Sequence, residues 1–257
     1  MYKLLGDYHS HTIYSSGFKK RGTHAKGTIQ ENAEAAYQLG LDTLVISEHG
    51  PGHYLYGIRE ENLPLMKEEI KRLNEAYNPK GLRILLGIEA NIIGLDGTLD
   101  VSEDFISQLD ILLMGYHYGA TPIGIRDAYK LYWTTQISKL FDSKSEYAID
   151  IMTETYLKSM DKYKIHIITH PGSKAKVHIE EVAKKALSVG TSLEISSKHD
   201  ELSIESLEKI NDIPVGLYIN SDAHEPARIG DVQEGIDKAI KSGIDMNRII
   251  NIKLEVE

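Results

Sequence analysis

Six of the seven strand-length apolar runs in this chain stop at a histidine or a carboxylate, and few folds can use such a pattern. The runs cover 3–8, 43–47, 83–88, 111–116, 165–169, 192–195 and 215–220. The first leads through Asp7 to His9-Ser-His11, the second to Glu48-His49 and the third to Glu89. The fourth reaches His117, the fifth His170, and the last Ser221-Asp222-Ala223-His224. The sixth, around Glu194, lacks a comparable terminal ligand. Most runs are nearly continuous rather than alternating, as expected for parallel strands covered on both faces.

Helical patterns alternate with the runs, over 28–39, 60–77, 180–188, 204–210 and 231–241. Thr28 followed by Glu31 has the form of a capping box. Gly40, Gly190 and Gly243 follow helical stretches, where a left-handed cap is common. Seven strand-helix units predict an α/β fold, a closed or nearly closed parallel barrel like a distorted (β/α)7 TIM-type barrel. A doubly wound open sheet is the alternative. Residues 1–257 read as one domain, with a helical excursion at 121–163 that is expected to serve as a lid or an oligomer contact.

In a parallel barrel all strand C-termini meet on one face, so ligands scattered through the chain would surround one small volume. His9-x-His11 puts both imidazoles on one side of an extended strand. Histidine and carboxylate donors suit zinc, manganese or iron, and the absence of cysteine excludes zinc-thiolate and iron-sulfur sites and a cysteine nucleophile. It also fits a cytoplasmic setting. The formal net charge of -9 argues against a nucleic-acid track, and no apolar run is long enough to span a membrane. Oligomeric state is not legible.

The motifs Asp7-Tyr-His-Ser-His-Thr, Ile46-Ser-Glu-His-Gly-Pro, Gly87-Ile-Glu-Ala-Asn, Tyr116-His, Thr169-His-Pro-Gly and Ser221-Asp-Ala-His resemble those of the PHP family, named for its polymerase and histidinol phosphatase members. The similarity is closest to the small stand-alone phosphatases and runs from Asp7 to about Gly230. It implies a barrel of seven strand-helix units and three divalent ions. His9 and His11 would hold one with Asp222, and Glu89 would bridge it to a second completed by His117 and His170. His49, His224 and His24 would hold the third. The role of His24 is carried to the run Thr23-His24-Ala25-Lys26, because Gly17 occupies the nearer position and 18–22 looks inserted.

Such a centre implies hydrolysis of small phosphate monoesters by metal-activated water, with histidinol phosphate a first substrate to try. Glu89, Asp222 and His224 are the expected catalytic residues, and Asp7 is expected to orient a metal-ligating histidine. Arg126 and Arg228 are the preferred phosphate clamps, with Lys19, Lys20, Arg21, Lys26 and Lys174 as further cations near the mouth. Tyr54, Tyr56, Tyr118 and Trp133 are candidates for the pocket wall. Of the remaining histidines, His53 and His199 lie near the proposed mouth and read as solvated loop residues, with contact to substrate as the alternative, and His166 reads as a hydrogen-bonded plug within the fifth strand. His178 reads as a helix start. The main alternative is a phosphodiesterase or 3′–5′ exonuclease. A metal-dependent amidohydrolase and a non-catalytic metal protein are the others.

Overall fold

The apolar run at 43–47 becomes a strand because Leu44, Val45 and Ile46 are each fully buried, with apolar groups needed on both faces. A computed structural model describes residues 2–17, 22, 24–138, 145–199 and 202–255. Its strands are β1 (Tyr2–Leu4), β2 (Gly6–Ser10), β3 (Thr43–His49), β4 (Arg83–Asn91), β5 (Ile111–Gly115), β6 (Ile167–Ile168), β7 (Ser192–Ser196), β8 (Leu217–Asn220) and β9 (Ile252–Leu254). The helices are α1 (Ile29–Gln38), α2 (Leu63–Tyr77), α3 (Glu103–Ile106), α4 (Ile125–Asp127), α5 (Thr134–Ser138), α6 (Ser145–Lys162), α7 (Ile179–Val189), α8 (Ile204–Lys209) and α9 (Gln233–Ser242).

β2 to β8 form one parallel sheet in chain order and curl into a nearly closed barrel, as the alternation predicts. The seam between β8 and β2 is closed largely by side chains. Asn220 Oδ1 accepts from Tyr8 N at 3.0 Å, and Asn251 Nδ2 donates to Gly6 O at 2.9 Å and Ile219 O at 2.7 Å. Ser10 and Ala223 add a parallel bridge beside them.

Two expectations are corrected here. The first run is not one strand: the chain breaks at Leu5, whose N–H goes to Asn251 O at 2.8 Å, and β1 leaves the barrel to pair antiparallel with β9. β9 itself and the four-residue α3 carried too little periodicity to be read. The excursion at 121–163 is helical, but Ala128–Trp133 is a π-helical stretch between α4 and α5. Tyr132 Oη ties that stretch to the barrel by donating to Ala120 O at 2.7 Å and His117 O at 3.2 Å.

The capping box forms as expected: Thr28 Oγ1 accepts from Glu31 N, and Glu31 accepts from Thr28 N at 2.9 Å. Gly40, Gly190 and Gly243 all take positive φ after their helices. Ile29, Ala33 and Ala36 give α1 its buried stripe.

Period-two alternation then aims the site. Val45, Ile111, Leu113 and Ile167 pack with Tyr8, Leu85 and Tyr218 into a small separate core. Four residues beyond Val45, Leu85 and Leu113, on the same face, stand His49, Glu89 and His117. Glu89 pairs in register with His49 on one side and Leu113 on the other. Gly115 leaves room for them, since a Cβ there would lie 2.9 Å from Glu89 Oε1 and 2.6 Å from Thr169 Oγ1.

Candidate metal centre

Glu89 is fully buried, and five imidazoles surround it. His170 Nε2 lies 2.9 Å from Oε1 and His117 Nε2 3.5 Å from it, while Oε2 faces His49 Nδ1 at 3.0 Å, His9 Nε2 at 3.4 Å and His11 Nε2 at 3.7 Å. Asp222 Oδ1 lies 3.3 Å from His11 Nε2 and 3.6 Å from His9 Nε2. His24 Nε2 stands 3.1 Å from His49 Nε2 and 3.0 Å from His224 Nε2. All nine expected ligands therefore converge. The Glu89 carboxylate sits at the centre of the group, and His24 joins its outer side.

The strands reach these positions through local irregularities. The β2–β3 register shifts between Asp7 and Ser10, which turns His9 and His11 toward each other until their Nε2 atoms are 3.2 Å apart. His170 and Asp222 lie just past strand ends at φ 29° and 49°, in the left-handed region that costs a non-glycine residue energy. Such strain concentrates at functional sites.

Other groups fix three of the rings. His9 Nδ1 lies 2.8 Å from Glu194 Oε1, and the same carboxylate accepts from Asn220 Nδ2 at 2.9 Å and His170 N at 2.9 Å. His117 Nδ1 lies 2.8 Å from Asn91 Oδ1, and Asn91 Nδ2 donates to Asp100 at 2.6 Å. His224 Nδ1 faces Asp222 O at 2.9 Å. With Nδ1–H as the donor in each case, every one of these rings turns an Nε2 lone pair inward. Glu48 accepts from Thr12 N at 3.0 Å and from the hydroxyls of Thr12 and Ser15, locking the loop after β2.

The electrostatics suit a cation. Burial pushes the Glu89 carboxyl up, but His117, His9, His170 and His49 outweigh it and hold the group well below the usual carboxylate range. Asp222 behaves alike, with His9, His11, His199 and His224 overcoming its burial. Burial and neighbouring imidazoles push His11 and His117 well down, His24 to about 2 and His224 to about 4, leaving neutral rings. His9 moves oppositely: burial pushes it down, but Glu194, Glu89 and Asp222 outweigh this and raise it, which marks how much negative charge surrounds the ring.

A divalent ion fits these residues on structural grounds. Glu89 Oε2 and His49 Nδ1 face each other at 3.0 Å but out of line for a hydrogen bond, and together with His170 Nδ1 they are buried with no aligned partner among the described residues, although buried polar atoms rarely are. His24 Nε2 faces two other Nε2 atoms and has at most one proton to share. One ligand atom from each of His9, His11 and Asp222 lies within 4.8 Å of the others. The same holds for His9, Glu89 and His170, for His49, Glu89 and His117, and for His11, His49 and His224. Several ligands thus stand within reach of more than one centre.

The remaining assignments fare unevenly. His53 and His199 are not solvated loop residues. His53 is buried, with Nε2 3.0 Å from Tyr118 O, and His199 Nε2 lies 3.3 Å from Asp222 Oδ2 with its ring 4.8 Å from that of His170. Asp7 accepts from Ser221 and from Gly230 N rather than from an imidazole, so the carboxylate that orients a cluster histidine is Glu194. Nothing in the sequence singled out Glu194 beyond its place on the one strand without a terminal ligand. His166 precedes β6 and its Nδ1 accepts from Leu112 N at 3.0 Å; His178 is the N-cap of α7. Arg228 pairs with Asp231 at 2.7 Å, and Arg126 lies exposed on α4. Lys26 lies 4.0 Å from Glu225, and Lys19, Lys20 and Arg21 fall outside the described residues. Tyr56 stacks on His24 at 3.8 Å, whereas Tyr54 and Trp133 face solvent.

A nearly closed parallel barrel that gathers histidines and carboxylates at the C-terminal ends of its strands has the architecture of barrel metalloenzymes. The model for the PHP domain matches residues 7–198, and the chain belongs to that family. A probable phosphatase of Shewanella sp. (strain MR-4) is 29% identical, with 91% of this chain and 80% of that protein covered. One from Thermoanaerobacter sp. (strain X514) is 28% identical, with 97% and 91% covered. Among solved structures, a histidinol phosphate phosphatase from Lactococcus lactis, complexed with zinc, L-histidinol and phosphate, shares the fold. Its TM-score is 0.61 at 14% identity, over 94% of each chain.

Proposed function

We propose that this chain is a divalent-metal-dependent phosphatase acting on small phosphate monoesters. The observation that carries the reading is the buried Glu89 carboxylate, ringed by five imidazoles and left with an oxygen that no hydrogen bond satisfies. In this reading His9, His11 and Asp222 would hold one ion, and Glu89, His117 and His170 would hold a second beside it. His49, His224 and His24 hold a third. Ions so bound would acidify water and offset negative charge at phosphorus.

The chain's own residues keep the ligands in the form such ions need. Glu194 and Asn91 hold His9 and His117 as Nδ1–H tautomers. Glu89 and Asp222, kept ionised by the rings around them, supply the negative charge, and His224 closes the outer side of the cluster. Burial of Glu89, His9, His11 and Asp222 excludes bulk water and strengthens each electrostatic contact. Relatives named as probable phosphatases support the reaction class, and the acidic balance of the chain fits a small anionic ester better than a polymer track.

The test is turnover by protein reconstituted with zinc, manganese or iron. p-Nitrophenyl phosphate and histidinol phosphate are expected to release phosphate, with bis-p-nitrophenyl phosphate and a single-stranded oligonucleotide much slower. Preference for the diesters would replace the monoesterase reading by a phosphodiesterase one, and silence on all four substrates would remove it.

A further inference from the structure

We infer that Lys198, on the turn after β7, is the cation that receives the phosphoryl group of the substrate, a role the arginines at 126 and 228 do not fill. The inference rests on the phosphatase reading and adds to it a named recognition residue.

Asp222 divides its two oxygens. Oδ1 faces the rings of His11 and His9, whereas Oδ2 faces Lys198 Nζ at 3.1 Å and His199 Nε2 at 3.3 Å. The Lys198 ammonium thus touches the cluster from outside, with its side chain 40% exposed against 5% for Asp222. An ammonium has three donors and Asp222 Oδ2 takes one. His224 Nδ1, 3.1 Å from Nζ, already faces the carbonyl of Asp222. Donors therefore remain for a ligand arriving from the open side.

The turn that carries Lys198 is built rather than loose. Ser196 Oγ accepts from Lys198 N at 3.2 Å and from His199 N at 3.0 Å. Lys238 is almost wholly buried, and its ammonium donates to Ser196 O at 3.2 Å and His199 O at 2.8 Å. Ser197 Oγ accepts from Gly235 N at 3.1 Å. Burying a lysine to brace two carbonyls costs desolvation, and the product is a fixed placement of the next side chain over the cluster. By contrast, Arg228 is engaged with Asp231, and Arg126 stands exposed on α4. A phosphate dianion approaching an acidic protein meets at Lys198 a positive group already aligned with the cluster.

The experiment compares the full chain, reconstituted with metal, as wild type, Lys198→Ala and Lys198→Arg. It reads inorganic phosphate binding by calorimetry, KM and kcat for p-nitrophenyl phosphate, and metal content by elemental analysis. Lys198→Ala is expected to weaken phosphate binding and raise KM by about tenfold to a hundredfold with metal content unchanged, because a hydrogen bond to a charged group is lost. Lys198→Arg is expected to recover most of that loss. If the wild type is active and Lys198→Ala binds phosphate equally well, the inference fails while the phosphatase reading stands. Loss of metal from Lys198→Ala in proportion to lost affinity would make the lysine a partner of Asp222 alone, and would also overturn it. A wild type that neither binds phosphate nor cleaves the ester ends both.

Discussion

Glu194 and His9, 185 residues apart in sequence, meet in the barrel interior with Glu194 Oε1 2.8 Å from His9 Nδ1. The contact joins the strand that offers no terminal ligand to the first residue of the cluster, and through His170 N the same carboxylate also steadies a second ligand. Replacing Glu194 by Gln preserves the shape but allows an amide N–H to face the ring. Metal affinity is expected to fall by about tenfold to a hundredfold, as for other partners of metal-bound histidines. Competitive chelator titration measures it, and an unchanged affinity would reduce Glu194 to a packing role.

Glu89 belongs to the second proposed ion, beside the first. Glu89→Gln is therefore expected to lower the bound metal by about two equivalents together and to abolish measurable turnover. Elemental analysis of the purified variant decides between this and the loss of a single ion.

His24 belongs to the outer part of the cluster. His24→Ala is expected to lower the stoichiometry by one ion while the inner ligands remain loaded. Retention of full metal content would remove His24 from the ligand set.

Asp100 gives a pH dependence. Burial raises its carboxyl to about 7, and the N–H donors of Asn91 and Gly52 offset this only in part. The native state therefore holds the proton more tightly than the unfolded chain, whose carboxyl titrates near 3.9. The stability due to this group is fully present below about pH 4 and is lost as pH rises through about 7. Burial also raises Glu48 to about 7, so urea unfolding across that window is expected to show a decline in both proteins and a smaller one in Asp100→Asn than in the wild type.

At the periphery, Thr28→Ala removes the side chain that caps α1 and the partner of Glu31. It is expected to cost about 1 kcal/mol in urea unfolding, with turnover unchanged.

The site was more legible than its setting. His49, Glu89, His117 and His170 stand where continuous apolar runs stop, and in a parallel barrel the end of a run is also a place in space. His24 was reachable only through a resemblance of local motif, since nothing in the apolar periodicity places it. Glu194 was missed because it lies inside its strand rather than past the end, where a buried carboxylate looks like an interruption of the pattern. His199 read as a loop residue, and Lys198 drew no reading, because their positions depend on braces from Lys238 and Ser196, one of them forty residues downstream. The break at Leu5 escaped notice because the partner of β1 is β9, far along the chain and itself only three residues long.

The seam that joins β2 to β8 has a consequence for biosynthesis. His9 and His11 emerge from the ribosome early, but Asp222, His224, Asn220 and Asn251 follow more than two hundred residues later. Until then the nascent chain carries imidazoles without the last carboxylate or the groups that shut the barrel over them. In the proposed reading, capture of the ions therefore waits for synthesis of the segment from Asn220 to Asn251, and a product terminated before it would present an incomplete nest of histidines to the metals of the cell.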